Sequence, residues 1–118
     1  MSSTPYVVYE YEDERGHSEF REWRRKLRRS NPKASAKVDW LIELLEEKGT
    51  SLRRPYVDHI KGPIYELRGQ GRDAVRIYYW RQEKEVFIAA AGELKQRKKA
   101  DRKLIERALA AYEEYNKE

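Results

Sequence analysis

Cysteine is absent from the 118-residue chain. That excludes a disulfide framework, a thiolate zinc site and a cysteine nucleophile. Histidine occurs only at His17 and His59. No apolar run approaches the roughly 20 residues needed to span a bilayer. The first fourteen residues contain no basic segment and turn acidic, unlike a secretion signal. No internal repeat and no linker interrupts the chain. What remains is one small soluble domain covering residues 1–118, expected in the cytoplasm and not at a membrane.

Charge, by contrast, is abundant. Charged residues make up 40% of the chain, against about 25% in ordinary domains. Nine Tyr, three Trp and two Phe argue against a disordered polyelectrolyte, because disorder goes with few aromatics. The net charge of +5 is unevenly distributed. Residues 15–33 sum to +6, residues 49–82 to +4 and residues 95–107 to +5, and acidic stretches lie between and around them. Such an alternation suggests a one-sided positive surface whose partner is acidic. Basic blocks beside aromatics are the electrostatic footprint of a nucleic-acid binder. A solvated charged surface, or a dock for an acidic protein, is equally compatible with the charge alone.

Hydrophobic periodicity sets the expected elements. Tyr6 to Tyr11 reads as a strand. Phe20, Trp23 and Leu27 are spaced for a helix over 18–29, with Arg21, Arg24, Arg25, Arg28 and Arg29 around them. Asn31 and Pro32 suit the start of a second helix. Ala34, Val38, Leu41, Ile42 and Leu45 give it a buried face, and Gly49 ends it. Residues 18–48 therefore form a helical hairpin. After a loop holding Pro55, Gly62 and Pro63, Ile64 to Arg68 reads as a strand, and Gly69 to Asp73 as a turn. Ala74 to Trp80 is a strand with Val75, Ile77 and Tyr79 on one face and Arg76, Tyr78 and Trp80 on the other. Glu85 to Ala91 is the next strand, Gly92 to Lys99 a basic loop, and Asp101 caps a last helix carrying Leu104, Ile105, Ala108, Leu109 and Tyr112. The order β-α-α-β-β-β-α implies a small two-layer α+β domain, an antiparallel meander sheet with helices on one face.

The run from Pro55 to Arg68, ending Tyr65-Glu66-Leu67-Arg68, resembles the central segment of the RelE/HigB superfamily of bacterial type II toxins, most closely its phage-derived HigB-like branch. Val75-Arg76-Ile77-Tyr78-Tyr79-Trp80 is similar to that family's next strand, and Gly92 to Ala110 to its basic loop and closing helix. The helical hairpin fits as well, so the resemblance covers roughly residues 18–112. Three departures stand out. The family's loop commonly opens with a His-Gly-Phe-like triplet, where this chain has Ala91-Gly92-Glu93. A lysine pair becomes Lys95-Gln96. The usual proline position is Asp101.

The resemblance implies a RelE-like fold and an endoribonuclease, an mRNA interferase that cuts on the ribosome and is held silent by a cognate antitoxin, expected to be a helix-turn-helix protein. In metal-free RNA cleavage the ribose 2′-OH attacks the adjacent phosphorus, giving a cyclic phosphate and a free 5′-OH. The reaction needs a base, an acid and cations around the phosphorane, and no metal or other cofactor. Arginine suits the last role because its planar fork matches phosphate oxygens. Arg76 is the first candidate for phosphate stabilisation and Arg68, on the neighbouring strand, the second. Lys95 is a candidate phosphate grip or general acid, and His59 the one histidine near this segment. Glu66 is a candidate base or an ion-pair partner of these arginines. Lys61, Arg97, Lys98 and Lys99 are candidate phosphate contacts, and Tyr78 and Trp80 candidate platforms for base stacking. Arg24, Arg25 and Arg28 are placed to meet rRNA phosphates (16S or 23S) or an acidic antitoxin segment.

Two other readings remain open. Ala91 and Glu93 favour a non-catalytic relative that binds RNA or an antitoxin without cutting. The same fold also occurs in ParE-like gyrase inhibitors, which poison a protein target.

Overall fold

A computed structural model describes residues 5–72, 74–95 and 101–117. Its architecture follows from where the apolar residues recur. The chain runs β1 (Val7–Glu10), α1 (Glu19–Ser30), α2 (Pro32–Lys48), a short 3-10 turn (Gly49–Ser51), β2 (Val57–Lys61), β3 (Ile64–Arg68), β4 (Ala74–Glu83), β5 (Val86–Lys95) and α3 (Arg102–Asn116).

Local chemistry sets the helix ends. The Ser18 hydroxyl accepts the Arg21 N–H at 3.2 Å and starts α1. The Asn31 side chain accepts the Ala34 N–H at 3.1 Å, with Pro32 in the first turn of α2. Both are side-chain caps for otherwise orphaned donors. Helix α2 stops at Gly49, whose φ of 52° favours glycine. A Cβ there would also run into the Tyr6 ring. Asp101 caps α3, its carboxylate accepting the Lys103 N–H at 2.9 Å.

The five strands lie in the order β1-β5-β4-β3-β2. Strands β2 to β5 form an antiparallel meander, and β1 adds to β5 in parallel. The α+β class, the helical hairpin and the meander match the sequence expectation. Strand β2 is one more strand than the periodicity gave, and β5 runs on through Gly92 to Lys95, where a loop was expected.

The layering departs in one respect. Phe20, Leu27, Val38, Leu41 and Leu45 of α1 and α2 pack against Leu67, Val75, Ile77, Tyr79 and Phe87. Leu104 and Ala108 of α3 pack with Ile64, Tyr78, Trp80, Ile88 and Ala90. Adjacent residues of one strand point to opposite faces, so α3 covers the face that α1 and α2 leave. The physical reason lies in β4 and β5, which are apolar on both faces. A sheet of that kind must be covered twice.

Candidate functional site

The face of the sheet under α3 carries apolar residues at one end and charged ones at the other. Antiparallel register sets Glu66 of β3 opposite Tyr78 of β4, and Arg68 opposite Arg76. Strand β2 brings Asp58 opposite Glu66. Strand β5 brings Glu93 opposite Arg76. Four strands thus deliver three carboxylates, two arginines and a tyrosine to one patch.

Glu66 is the centre of the patch and has no exposed surface. Its Oε2 accepts Arg76 Nη1 at 2.9 Å, and its Oε1 accepts Arg68 Nε. A carboxylate taken out of water is costly unless it is paired and hydrogen-bonded. Two guanidinium groups meet that condition, and the carboxylate in turn fixes both of them. Arg68 Nη2 donates to Asp58 Oδ2 at 2.9 Å. The other oxygen of Asp58 accepts from Arg54, Nη2 at 2.8 Å and Nε at 3.2 Å. Arg54, Asp58, Arg68, Glu66 and Arg76 therefore form one unbroken chain of ion pairs.

A second branch reaches α3. The Tyr78 hydroxyl donates to Glu93 Oε2 at 2.7 Å. The backbone N–H of Asp101 donates to the same oxygen at 3.3 Å. Glu93 thereby ties the start of α3 to the end of β5. Burial, then the bond to Glu93, pushes the Tyr78 hydroxyl far above its ordinary pKa. It is a neutral donor at neutral pH. Hydrogen bonds from Arg54 hold the Asp58 carboxyl below the usual aspartate range. The bond to Glu66 raises Arg68, so its charge is permanent.

The expected site residues divide by face. Arg76 and Arg68 lie opposite each other on β4 and β3. Tyr78 is in the same patch, but its ring is fully buried. Trp80 is equally buried, packed against Tyr112 at 5.4 Å and donating through Nε1 to Gln82. Both rings are core, because the strand that carries them is covered on both sides. Neither offers a free face for stacking a base. His59 is a correction of a different kind. It lies in β2 opposite Tyr65, 5.1 Å from that ring, and its Nε2 donates to the Gly62 carbonyl at 2.7 Å. Period-two alternation puts it on the far side of the sheet from Asp58 and the arginines. Lys61 ends β2 and lines an open cleft with Ile60, Arg102, Ile105 and Glu106, beside the start of α3. Arg24, Arg25 and Arg28 belong to α1, on the other side of the sheet. Arg24 is committed to Glu10 at 3.3 Å and Asp39 at 2.6 Å, whereas Arg25 and Arg28 are exposed. The Lys95 side chain and Arg97, Lys98 and Lys99 lie outside the described residues. Among the described residues no three His, Asp or Glu side chains gather as a metal cradle.

Sequence reasoning missed Asp58 and Arg54 as members of the site. Their signal was the run Val57–Lys61, whose alternation is hidden by Pro55 before it and Gly62-Pro63 after it. The Ala91-Gly92-Glu93 triplet acquires a geometry. Ala91 packs under α3, Gly92 faces the other way with the Trp23 ring over it, and Glu93 stands opposite Arg76.

Fold and site together define a class: a small α+β domain whose meander holds an arginine–carboxylate network at the start of its last helix. The model of the family described as "Phage derived protein Gp49-like (DUF891)" matches residues 25–113. The chain belongs to that family, which lies in the RelE toxin–antitoxin superfamily. A search of curated proteins returned no match. No helix among the described residues is long and apolar enough to cross a membrane.

Proposed function

We propose that the chain is the toxin of a type II toxin–antitoxin pair, of the HigB-like kind, and that it is an endoribonuclease cutting mRNA on the ribosome without a metal. The observation that carries this reading is the Arg68–Glu66–Arg76 unit. Two guanidinium groups are locked side by side by one buried carboxylate, on the face where α3 begins. Cations fixed in advance where charge develops are the largest single contribution to such reactions. In this reading Arg76 and Arg68 hold the phosphorane oxygens. Glu66 has both oxygens engaged and is a positioning residue. Tyr78, buried and donating to Glu93, holds that carboxylate in place and is a positioning residue as well. The basic stretch from Lys95 to Lys99 supplies further cations and the acid for the leaving oxygen. The antitoxin is expected to be a helix-turn-helix protein.

A second reading has its own support. Each arginine already has a carboxylate partner, Glu93 stands where an aromatic is expected, and His59 is on the wrong face. These features favour a relative that binds RNA or an antitoxin without cutting. Induction of the chain alone in a bacterium, with mapping of mRNA ends, separates the two. Cuts inside translated messages, lost with Arg76→Ala, support the nuclease. Arrest with intact mRNA and a DNA-damage response points to gyrase instead. No arrest supports the non-catalytic relative.

A further inference from the structure

We propose that Asp58 is an internal competitor for the phosphate at Arg68, an anion of the protein's own that sets how tightly the site takes a phosphodiester. The proposal rests on the reading of this patch as a phosphate site.

The geometry is specific. A guanidinium offers a phosphate two forks, Nε with Nη2 and Nη1 with Nη2. Nη2 is common to both. In Arg68 that nitrogen donates to Asp58 Oδ2 at 2.9 Å, and Nε is taken by Glu66. A phosphate seated on either fork must share Nη2 with a carboxylate of like charge, or displace it. Glu66 is not displaceable, being fully buried between two arginines. Asp58 is. Its side chain is 21% exposed and stands on β2, the last strand of the sheet. Arg68 is the more open of the two site arginines, 34% exposed against 13% for Arg76. An incoming strand therefore meets Arg68 first, and meets it occupied.

Arg54 supplies the place to which Asp58 retires. It grips the other oxygen through two nitrogens, and its side chain is 78% exposed. When phosphate takes Arg68, the carboxylate remains paired with Arg54. The exchange trades one ion pair for another and leaves no bare charge, so a multivalent polyanion displaces Asp58 where a single weak anion does so poorly.

The test is binding of a short 2′-O-methyl RNA oligonucleotide, which cannot be cleaved, by fluorescence anisotropy. Asp58→Asn and Asp58→Ser remove the competing charge, the second with a smaller side chain in case the first folds poorly. Glu47→Gln, on the exposed face of α2 on the other side of the sheet, removes the same charge away from Arg68. Binding roughly fivefold tighter in both Asp58 variants, the size of one partly exposed charge contact, and not in Glu47→Gln, supports the competitor. Tightening equal to that of Glu47→Gln reduces the effect to net charge and overturns it. If no variant binds the oligonucleotide, the RNA reading fails by itself. Titration with inorganic phosphate, followed on the Arg68 Nε–H resonance, then decides. Saturation at lower phosphate in Asp58→Asn upholds the competitor, and an unchanged curve sinks it.

Discussion

Glu66 decides the character of the site. It is a carboxylate with no exposed surface in a small domain, and only the two arginines make that tolerable. Removing one partner from a buried ion-pair group is the costly change, because the others are left uncompensated. Glu66→Ala is therefore expected to lower unfolding stability by about 3–5 kcal/mol, read from urea denaturation, and to release Arg68 and Arg76 from their fixed positions. A loss under 1 kcal/mol, the scale of an exposed pair, contradicts the central place given to Glu66. The pairing itself was legible in the sequence, because Glu66 and Arg68 share a strand parity and Arg76 follows on the next strand. Asp58 was not, since its role depends on how β2 pairs with β3. Alternation then sends Asp58 to the arginines and His59 to Tyr65, and no local pattern says which.

At the scale of elements, β5 and α1 are joined where β5 departs from its expected end. The ring of Trp23 lies over Gly92, and a Cβ at that position would stand 2.4 Å from it. Strand and ring both have to yield, and overpacking of this kind costs typically about 1–3 kcal/mol. Gly92→Ala is expected to fall in or above that range in thermal or urea unfolding. Gly92→Ala combined with Trp23→Leu should cost less than the two changes summed, because the smaller side chain makes room. Additive losses would mean that the ring and the glycine do not meet. In the sequence Gly92 reads as a loop residue, since glycine is a poor strand former. The close approach of an indole from a helix some seventy positions earlier is a tertiary fact, and it overrides that propensity. The helices were the legible part, because caps and apolar spacing are local. The second layer of cover was less so: Tyr78, Trp80 and Ile88 on the reverse of the strands announce it only once the sheet is known to be apolar on both faces.

For the whole molecule, the basic blocks found in the sequence do not make one surface. The arginines of α1 lie on one side of the sheet and the Arg68–Arg76 patch on the other. Counterion release makes each phosphate contact visible as salt dependence. The double change Arg25→Ala with Arg28→Ala is expected to weaken RNA binding and to lower the slope of log K against log salt by about 2, one for each lost phosphate contact. Under the proposed nuclease function, the cleavage rate at saturating RNA should stay as it was. An unchanged slope would assign the helix to a partner other than RNA. The one-sided surface inferred from composition was wrong for a simple reason: a charge count orders residues along the chain, and a sheet sorts them by alternation and by which helix covers which face.

The parallel pairing of β1 with β5, Val7 beside Val86, joins the first strand to the last. During synthesis β2, β3 and β4 emerge in order, so the sheet neighbour of β3 and of β4 has already been made when each appears. Strand β1 is made first and has nothing to pair with until β5 leaves the ribosome. Contacts between distant positions close late, because the loop entropy must be met before they form. The network suffers the same delay, since Glu93 lies near the end of β5. A nascent chain of this protein therefore holds an incomplete sheet and an incomplete site until β5 has left the ribosome.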